Sequence, residues 1–546
     1  MPDLSQTQPF AFTCEGGLMK SRSTFIMKPG QALELLNFEP DIKGGYRRIS
    51  GFRKYVNHIV PQTSASSEKV LMVAFFNNNV LAARGEKIFS SASTELSLKI
   101  LQATGMTGSG TITVDSTSGF SSSGTLQINS EIFTYTGKTS TTFTGVTRAT
   151  SSTSAAAHAV DDAVSESWTE RDTGRTSASK YTFERFNFDG NDKIIVTDGT
   201  NDPTVFNTSL AATDVTESTV EGAKFVTAFK SHMFYAGMSS TPQELVFSQP
   251  FDEDAFNSGS GAGSIKVDDT IVGMKAFRND LFVFCENRIF KLSGTSSSDF
   301  AITPVTRNIG CVNGDTIQEF AGDLIFLGPD GLRTVAGTAR IGDVELGTIS
   351  ANVQSVFDDN LVDSALFESV VIPDKTQYRI FFAKDGTNED NTRGVICVMK
   401  GQTFEFAELK GIKPSATDTF VEAGNVLVLH GGFDGYIHRQ EKGNDFDGTK
   451  VSGRYRSPDL TFGDPGIRKH MQRVILNFEP EAAINADMFV RYDYEDRNSA
   501  RPAAYPLDST DVVAIYGTST YGTPTYGGAS QPLIRQPVEG SGFAVA

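Results

Sequence analysis

Six histidines, at positions 58, 158, 232, 430, 438 and 470, are the first residues to weigh for chemistry. None stands in an HExxH or HxH arrangement that would put two imidazoles on one metal. His430 and His438 flank one hairpin, where an imidazole is ordinarily structural or exposed. The acidic runs DED at 252–254 and YDYED at 492–496 offer carboxylates. Neither has the alternating oxygen ligands and central Gly of a calcium loop, so both read as solvated acidic turns. A GxSxG elbow, a Walker A loop and a GxGxxG between strand and helix are all missing. Cys14, Cys285, Cys311 and Cys397 lie far apart with no CxxC spacing, which argues against a zinc clip and a disulfide scaffold. Cys285 in LFVFCENRIF and Cys397 in GVICVMK read as buried free thiols of a chain that folds in a reducing cytoplasm. The expectation is no enzyme, no cofactor and no metal.

What elements would position a chain so poor in catalytic groups? At 546 residues it is too long for one simple core. Its 51 Gly and a Phe-rich, Val/Ile/Thr-rich composition lean towards all-β architecture with many turns. The net charge is −17, from 48 Lys and Arg against 65 Asp and Glu. Such a chain is not expected to grip nucleic acid, which needs cations to release counterions from phosphate, although DNA could slide past it. The N-terminus lacks a basic stretch followed by an apolar one, so no signal peptide is expected, and no run approaches 18 apolar residues.

A hairpin recurs. FFNNNVLAARGEKIFSS (75–91), FDGNDKIIVTDGTNDPTVFN (188–207), FKSHMFYAGMSSTPQELVFS (229–248), FRNDLFVFCENRIFKL (277–292), FAGDLIFLGPDGLRTV (320–335) and EAGNVLVLHGGFDGYIHR (422–439) share one plan. Each has an Asn/Asp/Gly turn, a short apolar strand, a second turn and another strand. A looser copy fills 372–400. Spacings of roughly 41 to 52 residues match one four-stranded propeller blade, and runs such as LFVF suit sheets buried on both faces. The fold expected is therefore an all-β propeller of six or seven blades, with one helix within 353–367.

The step from 75 to 188 is too long for one blade. Its excess, about 101–168, has short alternating strands such as TLQI and EIFTYT between Ser, Gly and Lys-Thr turns, and reads as a small β module inserted in a blade loop. Trp168, the single tryptophan, stands at its exit as a packing residue. After 445 the pattern changes to a separate antiparallel β domain with a Tyr-Gly-Thr repeat at 516–528. The organisation expected is 1–100, N-terminal segment and first blade; 101–168, inserted module; 169–445, remaining blades; 446–546, C-terminal domain.

The order of features resembles the nozzle or hub proteins of short-tailed bacteriophages, the packaged-DNA stabilization family. The resemblance runs from Leu36-Asn37, Pro40, Gly45, Arg47 and Gly51 to Tyr55, through VTAFKSHMFYAGMSSTPQELVFSQPFDEDAF (226–256). It continues in DDTIVGMKAFRNDLFVFCENRIFKLSG (268–294) and GCVNGDTIQEFAGDLIFLGPDGLRTV (310–335). The 101–168 insertion looks like a module recurring in marine phage structural proteins. The resemblance implies a homohexameric ring in the virion tail, below an adaptor ring and near needle, fibre or spike proteins. Genomic DNA would be retained by it and would pass through it at ejection without sequence-specific binding. The competing expectation is a receptor- or glycan-binding propeller, against which the scarcity of Trp weighs. Sialidase-type repeats and Trp-Asp propeller signatures are disfavoured on the same ground.

One stretch is dense in Gly, aromatic and basic residues: NFEPDIKGGYRRISGFRKY (37–55). It reads either as a brace, with Tyr46, Phe52 and Tyr55 packed on a blade, or as an assembly contact carried by Tyr46, Arg47, Arg48 and Arg53, since Arg and Tyr are enriched at interface anchors.

Overall fold

The computed structural model describes residues 8–546 apart from 56–57, 62–68, 93–97, 100–109, 119, 121, 151–152, 177–179, 336–347, 362–365, 384–391, 402, 423, 479–484, 497–500 and 508–532. The Tyr-Gly-Thr repeat at 516–528 lies outside the described residues. The chain divides into two compact units. One holds Leu36–Ile42 and Arg47–Gly453; the other gathers the chain up to Leu35, Lys43–Tyr46 and Arg454–Ala546.

The large unit is built from seven mainly antiparallel sheets, one for each hairpin in the sequence, numbered as blades 1 to 7 by their first strands Met72–Phe76, Thr182–Phe186, Phe225–Phe229, Ile271–Phe277, Gln318–Phe320, Leu366–Ile372 and Pro414–Glu422. Blade 4 shows the plan: Ile271–Phe277, Asp280–Cys285, Ile289–Ser293 and Ala301–Thr306 pair in order. The run Leu281-Phe282-Val283-Phe284-Cys285 alternates as any strand does. Leu281, Val283 and Cys285 enter one core, while Phe282 and Phe284 enter the next. Both faces are buried, so the period of two is hidden in an unbroken apolar run. Blade 1 repeats the device, with Val73 and Phe75 on one side and Met72, Ala74 and Phe76 on the other.

The first strands of the blades neighbour one another around a closed circle. Contacts join blades 2 to 3, 3 to 4, 5 to 6, 6 to 7 and 7 to 1. The Tyr181 N–H donates to the Leu71 carbonyl between blades 1 and 2, and the 3-10 turn Gly314–Thr316 that leads into blade 5 packs on blade 4. The seventh blade completes the circle with a strand from the far end of the sequence. Phe52–Lys54 pairs antiparallel with Ile437–Gln440, in register His438↔Lys54, Arg439↔Arg53 and Gln440↔Phe52.

That closure explains the dense 37–55 stretch. Gly51 passes so close to blade 7 that a Cβ there would lie 1.8 Å from the Asp445 carbonyl oxygen. Phe52 stacks on Phe446 and meets both His430 and His438 edge-on. Asn37 holds a left-handed conformation (φ 53°), and its side chain donates to the Ser452 carbonyl and accepts from Lys410 N–H. Beneath them lies a buried ion cluster. Arg379, wholly inaccessible, meets Glu39 at 3.3 Å and Glu441 at 2.6 Å, and Lys375 bridges the same two carboxylates. Burial works against the Glu441 charge, but Arg379 and Lys375 outweigh it and lower its pKa.

The insertion interrupts blade 1 between its third strand, Lys87–Ala92, and its fourth, Thr169–Asp172. It has its own two small sheets and its own core around Phe133, Phe143 and Tyr135. Its centre is Glu131, fully buried, which accepts from Arg148, His158, Ala149 N–H and Ala156 N–H. Burial alone would raise that carboxyl; the hydrogen bonds from Arg148, Ala156 and His158 bring it down to about 2. Trp168 packs in the core shared by blades 7 and 1 and donates to the His58 carbonyl at 3.3 Å. The helix is Gln354–Leu361, shorter than its apolar spacing predicted, because Leu366 already begins the first strand of blade 6.

The smaller unit is made of antiparallel strand pairs: Arg473–Asn477 with Leu533–Pro537, Lys469–His470 with Ser541–Gly542, and Asp487–Met488 with Tyr505–Pro506. The boundary falls elsewhere than the expected 1–100 and 446–546, because residues up to Leu35 belong to this unit. Phe10 packs edge-on against Phe462, and Phe25 lies against Tyr494. Charge is split very unevenly. This unit's sequence has 13 Lys and Arg against 14 Asp and Glu, so −1 of the −17 belongs to it and −16 to the propeller unit.

Candidate functional site

The place where all seven blades meet is the axis, and its residues come from the first strand of each blade or the turn leading into it. A cavity of about 300 Å³ there is lined by Lys180, Glu184, Arg185, Lys275, Asp315, Glu368 and Asp418 among apolar neighbours. Two sets of ion pairs cross it. Lys180, in the connection between blades 1 and 2, meets Asp315 before blade 5 at 3.0 Å and also Glu368 in blade 6. The other Glu368 oxygen accepts from the Thr417 hydroxyl in blade 7 at 2.8 Å, and the Ser369 hydroxyl donates to the Asp315 carbonyl at 2.6 Å. In the second set, Arg185 of blade 2 pairs with Asp418 of blade 7. Asp418 also accepts from Phe75 N–H at 2.7 Å, and Arg185 Nε donates to the Phe75 carbonyl at 2.8 Å.

The electrostatics follow from one ammonium facing two carboxylates. Burial, helped by Asp315, pushes the Glu368 carboxyl up to about 7 in spite of Lys180. Burial favours a neutral amine at Lys180, yet Asp315 and Glu368 outweigh it and raise its pKa. Burial also raises Glu184, opposed by Lys275. The arrangement can pin non-adjacent blades together, and its polar lining suits water. The sequence carried a faint sign of it. Glu184, Glu368 and Asp418 are acidic residues inside short strands, TFERF, LFESVVI and PSATDTFVE, where a two-sided core has no place for them.

The four residues expected as an assembly contact do not gather at one point. The Tyr46 hydroxyl accepts from Gly17 N–H at 3.0 Å and donates to the Gly30 carbonyl at 2.8 Å, within the smaller unit. Arg53 forms a two-pronged pair with Asp445, whose carboxyl that hydrogen bond lowers to about 2, and Arg48 reaches the neighbouring Asn444 carbonyl at 3.3 Å. Arg47 and Arg48 are exposed. Phe52 and Tyr55 therefore fill the brace role on the blades, and Tyr46 does not.

The other residues weighed for chemistry have structural surroundings. His430 and His438 face each other across a strand pair, with ring centroids 4.9 Å apart, and burial holds His430 well below the ordinary imidazole range. The DED turn is not simply solvated: Glu253 is buried against Lys193, and its carbonyl accepts from the Tyr235 hydroxyl at 2.6 Å. The Asp252 hydrogen bond raises Asp254 to about 6. Cys285, Cys311 and Cys397 are buried free thiols, and burial pushes Cys285 and Cys311 up to about 12. Among the described residues no group of three His, Cys, Asp or Glu could hold a metal ion. No described helix is long and apolar enough to cross a membrane.

Seven sheets of three to six strands, first strands around a common axis and closure by a strand from the other end of the chain define a seven-bladed β-propeller. No family model and no curated protein matches the sequence. Solved structures similar to it include the N-terminal domain of Nup159, at 10% identity and TM-score 0.30 over 47% of this chain and 88% of that one. Raptor of Chaetomium thermophilum matches at 8% and 0.36 over 76% and 29%, and the Pan2 WD40 domain of Neurospora crassa at 8% and 0.29 over 68% and 89%. The assignment to the propeller class rests on the sheets themselves.

Proposed function

We propose that this protein is a structural subunit of a short bacteriophage tail, the nozzle ring that retains packaged DNA and passes it at ejection. It acts as a non-catalytic homo-oligomer, a hexamer beneath an adaptor ring, without cofactor. The sequence resemblance over most of the chain motivates the reading. The observation that carries it is the division of charge: the propeller unit holds −16, a surface that repels phosphate and keeps DNA from sticking. The propeller's own axis is crossed by the Lys180 and Arg185 ion pairs, so the duplex path in this reading runs between copies and not through one disc.

Electron microscopy of the purified chain over a range of concentrations tests it. Closed rings with a central hole are the expected result. Single discs at every concentration, with and without an adaptor ring as template, would overturn it.

A further inference from the structure

The smaller unit is nearly neutral, yet it carries nine of the fourteen large hydrophobic residues exposed among the described ones. Their neighbours share a pattern. Ile475, 55% exposed, lies on the ribbon Arg473–Asn477 directly opposite Arg535 on the partner strand, with Arg473 two residues away on the same face. Phe489 has the Arg491 guanidinium 5.1 Å from its ring, and exposed Phe543 has that of Arg468 at 5.8 Å. Apolar groups beside guanidinium groups are the composition of interface anchors, not of a solvated face.

The ribbon's edges point the same way. Arg473–Asn477 and Leu533–Pro537 form a two-stranded sheet, so among the described strands each has one unpaired edge. A two-stranded ribbon gains little stability alone, and an open edge invites another chain.

We infer that the ridge Arg473–Ile475–Arg535 is a docking surface for the acidic propeller unit of a second copy of this chain. The argument for that occupant is charge. A cationic, apolar ridge on a unit of net −1 finds its complement in a unit of net −16, and every copy offers one of each. Two different surfaces then meet, a heterologous contact, which generates rings when the rotation closes and open filaments when it does not. The inference rests on the self-assembly in the nozzle reading and names the surface responsible.

The test is light scattering and microscopy of the full chain across concentration and salt, for the wild type, the Arg473→Glu/Arg535→Glu variant and Ile475→Asp, with melting temperature as a check on folding. Each variant, folded as the wild type is, is expected to need at least a tenfold higher concentration for half-assembly, and added salt is expected to weaken wild-type assembly. Assembly unchanged in both variants, or strengthened by salt, overturns the ridge while leaving rings and the nozzle reading intact. Variant-sensitive filaments without a hole support the ridge and overturn the nozzle reading. A wild type that never self-associates, or that docks only on a different tail protein, overturns the ridge.

Discussion

The propeller unit and the smaller unit are made of the same material, short antiparallel strands, and manage their edges in opposite ways. In the propeller, both faces of each sheet are covered by the next, and even the seventh blade borrows Phe52–Lys54 from the start of the chain. In the smaller unit the sheets are strand pairs, and apolar side chains such as Phe25, Ile475 and Phe489 face outwards. The sheets of the one bury apolar residues on both faces, whereas the strand pairs of the other leave apolar residues in solvent. The lesson is that strand content alone does not tell a core from an interface, whereas the number of covered faces does.

The comparison can be broken most forcefully at the propeller's closure. Arg379→Met leaves Glu39 and Glu441 buried with Lys375 alone of their two cations, and a loss of about 3 kcal/mol of unfolding free energy is expected by chemical denaturation. A loss under ~1 kcal/mol would mean that closure does not rest on this cluster. Next comes the inserted module, whose independence is set by Glu131. Its folded pKa, about 2, lies below the unfolded value, so its contribution is present above the unfolded pKa and fades as pH falls towards 2. The protection factors of the module's strands against hydrogen exchange, corrected for the intrinsic rate at each pH, should therefore fall between about pH 4.5 and 2, and Glu131→Gln, weaker throughout, should lack that pH dependence.

Smaller effects sharpen the contrast. Glu368 has a folded pKa of about 7, raised above its unfolded value, so its contribution is full below the unfolded pKa and lost as pH rises through 7. Glu368→Gln should melt increasingly above the wild type as pH is taken from 5 to 8; a gap that does not change with pH would show that the axis does not share a proton. Smallest of all, Arg47→Glu with Arg48→Glu should alter folding free energy by no more than ~0.5 kcal/mol, as expected for exposed side chains. An effect on ring assembly without one on folding would assign those two residues to a contact between subunits.

How far could the sequence be read? The hairpins were plain, because FRNDLFVFCENRIFKL carries its turn in Arg-Asn-Asp and its strands in unbroken apolar runs, and the seven copies are the seven blades. The outer strands were hidden: Ala212–Asp214 and Thr169–Asp172 are short and polar, with nothing to bury. Phe52–Lys54 was hidden for another reason, since a basic three-residue strand gives no local sign of a partner at 437–440. The axis escaped because Glu368 and Asp418 look like surface residues until seven blades turn them inwards. Tyr46 was misplaced because its partners, Gly17 and Gly30, lie in a segment with no strand pattern.

The insertion in blade 1 and the late closure have a consequence in time. Lys54 and His438 are 384 positions apart. A ribosome adding ~5–20 residues per second takes roughly 20–80 s to cover that distance. Throughout that interval the nascent chain carries Phe52–Lys54 unpaired, and by its end six blades with an open seam, beside other chains of the same sequence. A basic, three-residue strand is about the least adhesive piece that could be left waiting, and a longer apolar one in its place would turn each round of synthesis into an opportunity for strand exchange.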